Sequence, residues 1–214
     1  MLNELGMEIK EYNLLDEGTY DAVIIGVVNT GLHPVEFKGE KKMPASYIRV
    51  VLEIPAITND EGESATVQKR IKLTSHVEKG KFAEVLKALG EKVDKNTIMG
   101  YLTHKGLEKL LGKTCTITID HFETDKGKRN AVGNISRLDP RLEQPKASRK
   151  LFCFNPFKPD IAVFKNDVTA FTQKEVMTAL NSDNYPPELH EAWAEIQETD
   201  KATSSLSSDT SAIE

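Results

Sequence analysis

The alternation of apolar residues with mostly polar ones over residues 46–54 constrains the fold more than any other feature of this 214-residue chain. The even positions carry Ile, Val, Leu and Ile, whereas the odd positions include Tyr47 and Arg49. Successive side chains of a strand point to opposite faces, so this segment predicts a strand with one face in a core. Residues 65–75 repeat the pattern, with Arg70 and Lys72 on the polar face.

Three further segments have strand character. Residues 18–29 are rich in β-branched side chains, residues 114–123 alternate strictly, and residues 129–138 follow a glycine-containing turn. Residues 82–89 and 103–111 instead have helical spacing, each before a glycine. The order is three strands, a helical insert and two strands, which is the layout of a mainly β, five-stranded antiparallel OB-fold barrel. Another small antiparallel sheet with helices, or an SH3-like barrel, is the alternative.

The segment between the first two strands looks irregular. Residues 30–45 contain two glycines, two prolines and three lysines, a composition that is typical of loops. We therefore expect a long, basic connecting loop.

Composition changes beyond residue 139. Residues 140–150 are polar and contain proline, as linkers do, and residues 151–171 contain five of the eight phenylalanines. The pattern Thr172-x-x-Glu175 is a capping box that predicts a helix to about Leu180. We expect the Phe-rich segment to be a strap that packs on the barrel, or a subunit contact.

The last part of the chain is acidic. Residues 151–214 contain 4 Lys+Arg and 11 Asp+Glu, whereas the preceding residues have a net charge of only +2. Pro186 and Pro187 predict the start of a helix through Glu198. The Ser/Thr-rich residues 199–214 predict disorder.

We therefore expect three regions: an OB-fold domain over residues 1–139, a linker and Phe-rich extension over 140–180, and an acidic C-terminal tail over 181–214.

Basic and aromatic residues collect where an OB-fold contacts oligonucleotides, on the face of strands two and three and on the two flanking loops. Cations track the phosphates of a strand, and exposed rings stack on unpaired bases. For any single lysine a solvated surface is the simpler interpretation, but the coincidence of three clusters favours binding. Phe122 either stacks on a base or covers a barrel end. The predicted nucleic-acid-binding residues are Phe37, Lys38, Lys41, Lys42, Tyr47, Arg49, Arg70, Lys72, Phe122, Lys126, Lys128 and Arg129.

Catalytic and metal-binding patterns are weak. Asp120, His121 and Glu123 could suggest a metal site, but strand alternation sends Asp120 to the opposite face. The sequence has no CxxC, HExxH, phosphate-cradling glycine loop or nucleophile motif. We therefore expect a non-enzyme with no metal and no cofactor. The N-terminus does not look like a signal peptide and no apolar run is long enough to span a bilayer, so we expect a cytoplasmic protein with both cysteines as free thiols.

Five stretches carry a resemblance to a known family: EGTYDAVIIGV (17–27), SYIRVVLEIP (46–55), QKRIKL (68–73), LGKTCTITI (111–119) and the acidic end. Together they resemble the OB-fold single-stranded-DNA-binding proteins that bacteriophages encode. The resemblance implies a protein that coats single-stranded DNA during replication, recombination or repair, and a tail that recruits enzymes and shields the DNA site. Cellular relatives end in a dense acidic run closing on an aromatic residue, whereas this chain ends DTSAIE. The acidic helix at 186–200 is therefore the expected competitor for the DNA site.

Partner enzymes are expected to bind that acidic helix, and the sequence is compatible with a homodimer. A phage protein-interaction or assembly module without nucleic-acid binding is the alternative, and a metal-dependent nuclease using Asp120 or Glu123 is a remote one. The predicted partner-binding residues are Glu188, Glu191, Trp193, Glu195 and Glu198.

Overall fold

The computed structural model describes residues 14–78, 80–124 and 127–209, except for the side chains of residues 200–209. The first strands are β1 (Gly18–Phe37), β2 (Glu40–Thr58) and β3 (Ser64–Lys72). Helices α1 (Lys81–Ala88), α2 (Lys95–Tyr101) and α3 (His104–Glu108) precede β4 (Thr114–Thr124) and β5 (Gly127–Ser136). The C-terminal extension consists of β6 (Phe152–Phe154), α4 (Ile161–Asn166), α5 (Ala170–Met177), a 3-10 turn (Ser182–Asn184) and α6 (Pro187–Asp209).

The strands form one sheet in the order β3-β2-β1-β4-β5. These neighbours are antiparallel, and β6 adds to β1 in parallel. Among the residues that the structure describes, no backbone ladder joins β3 to β5, so the sheet is not closed. The Lys69 ammonium bridges these two strands by donating to the carbonyl oxygens of Val132 and Gly133, both at 2.6 Å. The predicted mainly β chain, with helices between the third and fourth strands, is confirmed.

The inner face of the sheet is apolar and fully buried. Ile48, Val50, Leu52 and Ile54 of β2 are each 0% exposed and belong to the same cluster as Phe82 of α1. Complete burial of an aliphatic side chain of this size is worth about 1.5–3 kcal/mol. This inner core is therefore the main source of stability for the sheet and its helices.

The C-terminal extension packs on the outer face of the sheet. A second hydrophobic cluster joins Val51 of β2 and outward residues of β1 to the extension. Phe152, Phe154 and Phe164 are buried there, and the rings of Phe154 and Phe164 stack with their centroids 5.1 Å apart. The Phe-rich segment is thus a strap on the sheet, which is one of its two predicted roles.

The segment predicted as a loop, residues 30–45, is instead a continuation of β1 and β2. The turn Lys38-Gly39 joins the two strands with φ values of 52° and 77°, which is the pattern of a type I′ hairpin turn. The ladder skips Pro34 and Pro44. Because proline has no N–H to donate, it is tolerated at such irregularities. The loop prediction was wrong because these prolines lie outside the ladder.

The short helix predicted to end near Leu180 is present as α5, but the predicted capping box is wrong. Helix α5 begins at Ala170 with Thr169 as its N-cap, so Thr172 lies within the helix. The Thr172 hydroxyl donates to Oε1 of Gln68 on β3 at 3.0 Å. Thr172 therefore docks α5 on the sheet rather than opening the helix.

Helix α6 starts at Pro187, as predicted, but continues to Asp209 rather than ending at Glu198. Once nucleated, a helix gains one backbone hydrogen bond for each residue added, so extension is inexpensive. Residues 199–209 are thus helical where composition predicted disorder, and residues 210–214 lie outside the described residues. Within the described part of the chain, no helix is both long and apolar enough to cross a bilayer.

Candidate nucleic-acid interface

The outward face of β2 and β3 brings the predicted sheet residues together. The ladder pairs Arg49 with Arg70 and Tyr47 with Lys72. The Cζ atom of Arg70 lies 3.7 Å from the centroid of the Tyr47 ring. Directly paired residues have Cβ atoms about 4.5–5.5 Å apart, and like charges in such a pair destabilise a sheet. The two arginines therefore need an anion between them.

Glu175 of α5 supplies that anion. Its Oε2 accepts a hydrogen bond from Nε of Arg49, and its Oε1 lies 2.5 Å from Nε of Arg70. The side chains of Arg49 and Glu175 are 13% and 11% exposed, and that of Arg70 is 36% exposed. One carboxylate thus serves both guanidinium groups, one oxygen to each.

An open cleft of about 360 Å³ surrounds this Arg–Glu–Arg cluster of Arg49, Glu175 and Arg70. The Phe171 ring is 68% exposed, and the Cζ atom of Arg49 lies 4.7 Å from its centroid. The cleft therefore combines three cations with an accessible ring and a single carboxylate. Its lining residues are His33, Arg49, Arg70, Phe171, Lys174, Glu175 and Thr178.

Sequence reasoning missed the residues that α5 contributes. Phe171, Lys174, Glu175 and Thr178 have the spacing i, i+3, i+4, i+7, which places them on one face of a helix. That spacing was a usable signal, but it does not reveal where the helix docks. His33 was missed as well; it is buried, with Nε2 2.8 Å from the carbonyl oxygen of Thr30.

The first predicted loop cluster lies at the turn end of the β1–β2 hairpin. Phe37 is 61% exposed, and Nζ of Lys38 lies 5.6 Å from its ring centroid. Lys41 and Lys42 are exposed, and Lys42 pairs with Glu40 at 2.5 Å. This hairpin end therefore presents cations beside an aromatic ring.

The second loop cluster lies at the β4–β5 hairpin. Phe122 is 47% exposed and pairs with Arg129 in the ladder, next to the exposed Lys128. In the β1–β4 ladder, Gly18 pairs with Ile119 at one end and Val23 pairs with Thr114 at the other. Strand β4 continues past the first end toward the β4–β5 hairpin, whereas β1 continues past the second end toward the β1–β2 hairpin. The two hairpin clusters thus lie beyond opposite ends of that ladder, and none of their described residues lines the cleft around Arg49 and Arg70. Lys126 lies outside the described residues.

The predicted partner-binding residues differ in environment. Trp193 is half-buried against the second hydrophobic cluster. Glu195 pairs with Lys165 of α4. Helix α6 is anchored by Leu189 and Ala192, which are buried. Up to residue 199 of α6, the exposed acidic residues without a role in that packing are Glu188, Glu191 and Glu198.

A second carboxylate is buried on the outer face of β2. Glu53 is 0% exposed and accepts hydrogen bonds from the hydroxyl and backbone N–H of Ser148 and from the backbone N–H of Arg149. Burial acts to raise the pKa of Glu53, but these hydrogen bonds and one from Ser64 outweigh it and hold the pKa below the ordinary value of 4.5. Glu53 therefore clasps the predicted linker to the sheet.

Other reactive groups have structural surroundings. Among residues 14–78, 80–124 and 127–209, no His, Cys, Asp and Glu side chains group to hold a metal ion. Nε2 of His121 lies 2.7 Å from the carbonyl oxygen of Leu15. Burial is the main cause that raises the pKa of the Cys115 and Cys153 thiols to about 12. Neither thiol is therefore an activated nucleophile at neutral pH.

No protein-family model matches the chain, and no curated protein matches it significantly. The functional conclusion therefore depends on the geometry and chemistry of the site.

Proposed function

We propose that this protein is a non-catalytic single-stranded-DNA-binding protein that coats strands with little sequence preference during replication, recombination or repair. The observation that carries the proposal is the cleft in which two guanidinium groups lie against aromatic rings, Arg70 on Tyr47 and Arg49 on Phe171. Cations hold the phosphates of a strand, and every base has a face that can stack on an exposed ring. Such a surface binds many sequences with similar affinity.

The proposal includes an OB-fold barrel for the five main strands. Its support is the strand order β3-β2-β1-β4-β5, the helices between β3 and β4, and the Lys69 bridge between β3 and β5. OB-folds bind oligonucleotides on the face of strands two and three and on the flanking loops. In this chain those regions carry the cationic and aromatic clusters.

Fluorescence anisotropy with labelled oligothymidine tests the proposal. We expect tighter binding to the single strand than to a duplex of equal length, because unpaired bases are free to stack. Affinity should fall linearly on logarithmic axes between about 50 and 200 mM salt, as bound cations are released from the strand. Equal affinity for both forms, or no dependence on salt, would overturn the proposal.

A matched pair of variants tests the position of the site. Arg70→Glu with Lys72→Glu should weaken binding and lower the magnitude of the salt slope by about 1.4, since two phosphate contacts are lost and each contributes about 0.7 on a single strand. Lys105→Glu with Lys109→Glu makes the same charge change at an exposed position of α3 and at its exposed C-cap, and Leu107 of α3 packs in the inner core rather than on the outer face. Similar losses in both double variants would show a general charge effect, and unchanged affinity in the first would place the site elsewhere.

The second candidate is a protein-interaction or assembly module. It is favoured by Phe37 and Met43, which are 61% and 87% exposed on the β1–β2 hairpin end. Large apolar groups exposed on one hairpin can contribute to a protein contact. Failure of the protein to be retained on a single-stranded-DNA column at low salt would favour this candidate.

A further inference from the structure

We propose that Arg49 and Arg70 form a phosphate site that Glu175 occupies while no strand is bound. Helix α5 then competes with nucleic acid through its own carboxylate. Because the ligand is a phosphodiester group of the bound strand, this site rests on the proposed function. It also assigns the competition to a folded helix rather than to the acidic end of the chain.

The chemistry of the Arg–Glu–Arg cluster suits a phosphate. The two Nε groups point to separate oxygens of one carboxylate. A phosphodiester likewise offers two oxygens on one atom that share one negative charge, and guanidinium groups bind carboxylate and phosphate in the same charge-assisted manner. A phosphate can therefore replace the carboxylate while β2 and β3 keep their register.

The sheet places the two arginines side by side, where they can share one anion. Arg49 and Arg70 are direct partners in the ladder, and each lies against an aromatic ring. If Glu175 leaves and nothing replaces it, two like charges face each other, which is unfavourable. Departure of Glu175 is therefore coupled to arrival of another anion.

Glu175 can leave without unfolding its helix. Near this point two hydrogen bonds join α5 to Gln68 of β3. The Gln68 Nε2 group donates to the hydroxyl of the N-cap Thr169 at 3.2 Å, and the Thr172 hydroxyl donates to Gln68 Oε1 at 3.0 Å. Val176, the neighbouring residue, is 0% exposed in the second hydrophobic cluster. Because the cleft opens to solvent, rotation of the Glu175 side chain frees the arginines while Val176 stays buried.

The test compares oligothymidine binding by the wild-type protein, Glu175→Gln and Glu61→Gln. Both variants lose one negative charge, and Glu61 is exposed in the turn between β2 and β3. Apparent affinity rises with the fraction of molecules whose site is open, so we expect Glu175→Gln to bind about tenfold more tightly. Glu61→Gln should stay within about twofold of the wild type, because exposed charges are screened by salt. Glu175→Asp, which keeps the charge, should lie closer to the wild type than Glu175→Gln.

The outcomes separate the two proposals. If the wild type binds and a folded Glu175→Gln variant binds equally or less well, the competition is wrong but the proposed function stands. If neither protein binds oligothymidine, the proposed function fails. Should Glu175→Gln not fold, as judged by circular dichroism, the NMR signals of the wild-type Arg Nε–Hε groups and the Glu175 side chain can be followed during titration with oligothymidine. Unchanged Glu175 signals at saturation would overturn the competition.

Discussion

The two faces of strand β2 hold their neighbours in different ways. On the inner face, four aliphatic side chains are fully buried against a continuous apolar core. On the outer face, Arg49 depends on Glu175 and Glu53 depends on Ser148 and Arg149 of the extension. Apolar burial is non-directional, whereas a buried charge becomes unfavourable as soon as its partner leaves. The outer face is therefore the part of the sheet that can respond to a ligand.

The largest effect is expected on the inner face. Leu52→Ala should lower the free energy of unfolding by about 2–5 kcal/mol, because it removes a fully buried side chain and leaves a cavity. Urea denaturation measures this loss. Val51→Ala, which truncates the adjacent outward residue, is the control and should cost less. Equal losses would mean that the extension packs as tightly as the inner core.

A smaller effect is expected at the Glu53 clasp. Glu53→Gln should lower the free energy of unfolding by about 1–3 kcal/mol at neutral pH, since the N–H groups of Ser148 and Arg149 lose a charged acceptor. This loss is measured by comparing urea denaturation of the wild type and the Glu53→Gln variant over a series of pH values.

The pH dependence of that difference has a definite sign. The folded-state pKa of Glu53 lies below 4.5, chiefly because hydrogen bonds outweigh the opposing effect of burial. The carboxylate therefore contributes its full stability above pH 4.5, and this is lost as the pH falls through the folded-state pKa. The difference in the free energy of unfolding between the wild type and Glu53→Gln should therefore shrink on acidification. A difference that does not change with pH would show that the ionised Glu53 carboxylate does not stabilise the contact with Ser148 and Arg149.

The smallest effect on stability is expected at the exposed ring of the cleft. Phe171→Ala should change the free energy of unfolding by less than about 0.5 kcal/mol, because the ring is 68% exposed. It should still weaken oligothymidine binding by about 1 kcal/mol, at the low end for one stacked base. The matched control is Phe157→Ala, whose ring is 44% exposed and packs edge-on against Tyr185. Equal losses of affinity would place the stacking ring elsewhere.

Local periodicity was sufficient to predict the inner face. The alternation of β2 and β4 identified these strands, and the helical spacing of residues 103–111 identified the segment that contains α3. The β1–β2 hairpin end was missed because its prolines and glycines resemble a loop. Only the register shows that Pro34 and Pro44 fall outside the ladder. Local signals thus succeed where neighbouring residues determine the structure.

The candidate site was predictable only in part, for the same reason. Strand parity placed Tyr47, Arg49 and Arg70 on one face, as they are in the structure. Nothing near Glu175 in the sequence indicates that its carboxylate meets two arginines on distant strands. That contact depends on how the extension folds back over the sheet, which is set by packing between residues far apart in the chain.

The order of synthesis gives the position of Glu175 a further meaning. The carboxylate is encoded more than a hundred residues after Arg70. At about 5–20 residues per second, it leaves the ribosome about 5–20 s later, followed by the residues of α6 that anchor the extension. A growing chain therefore presents both arginines to surrounding anions before its own neutralising group has been made.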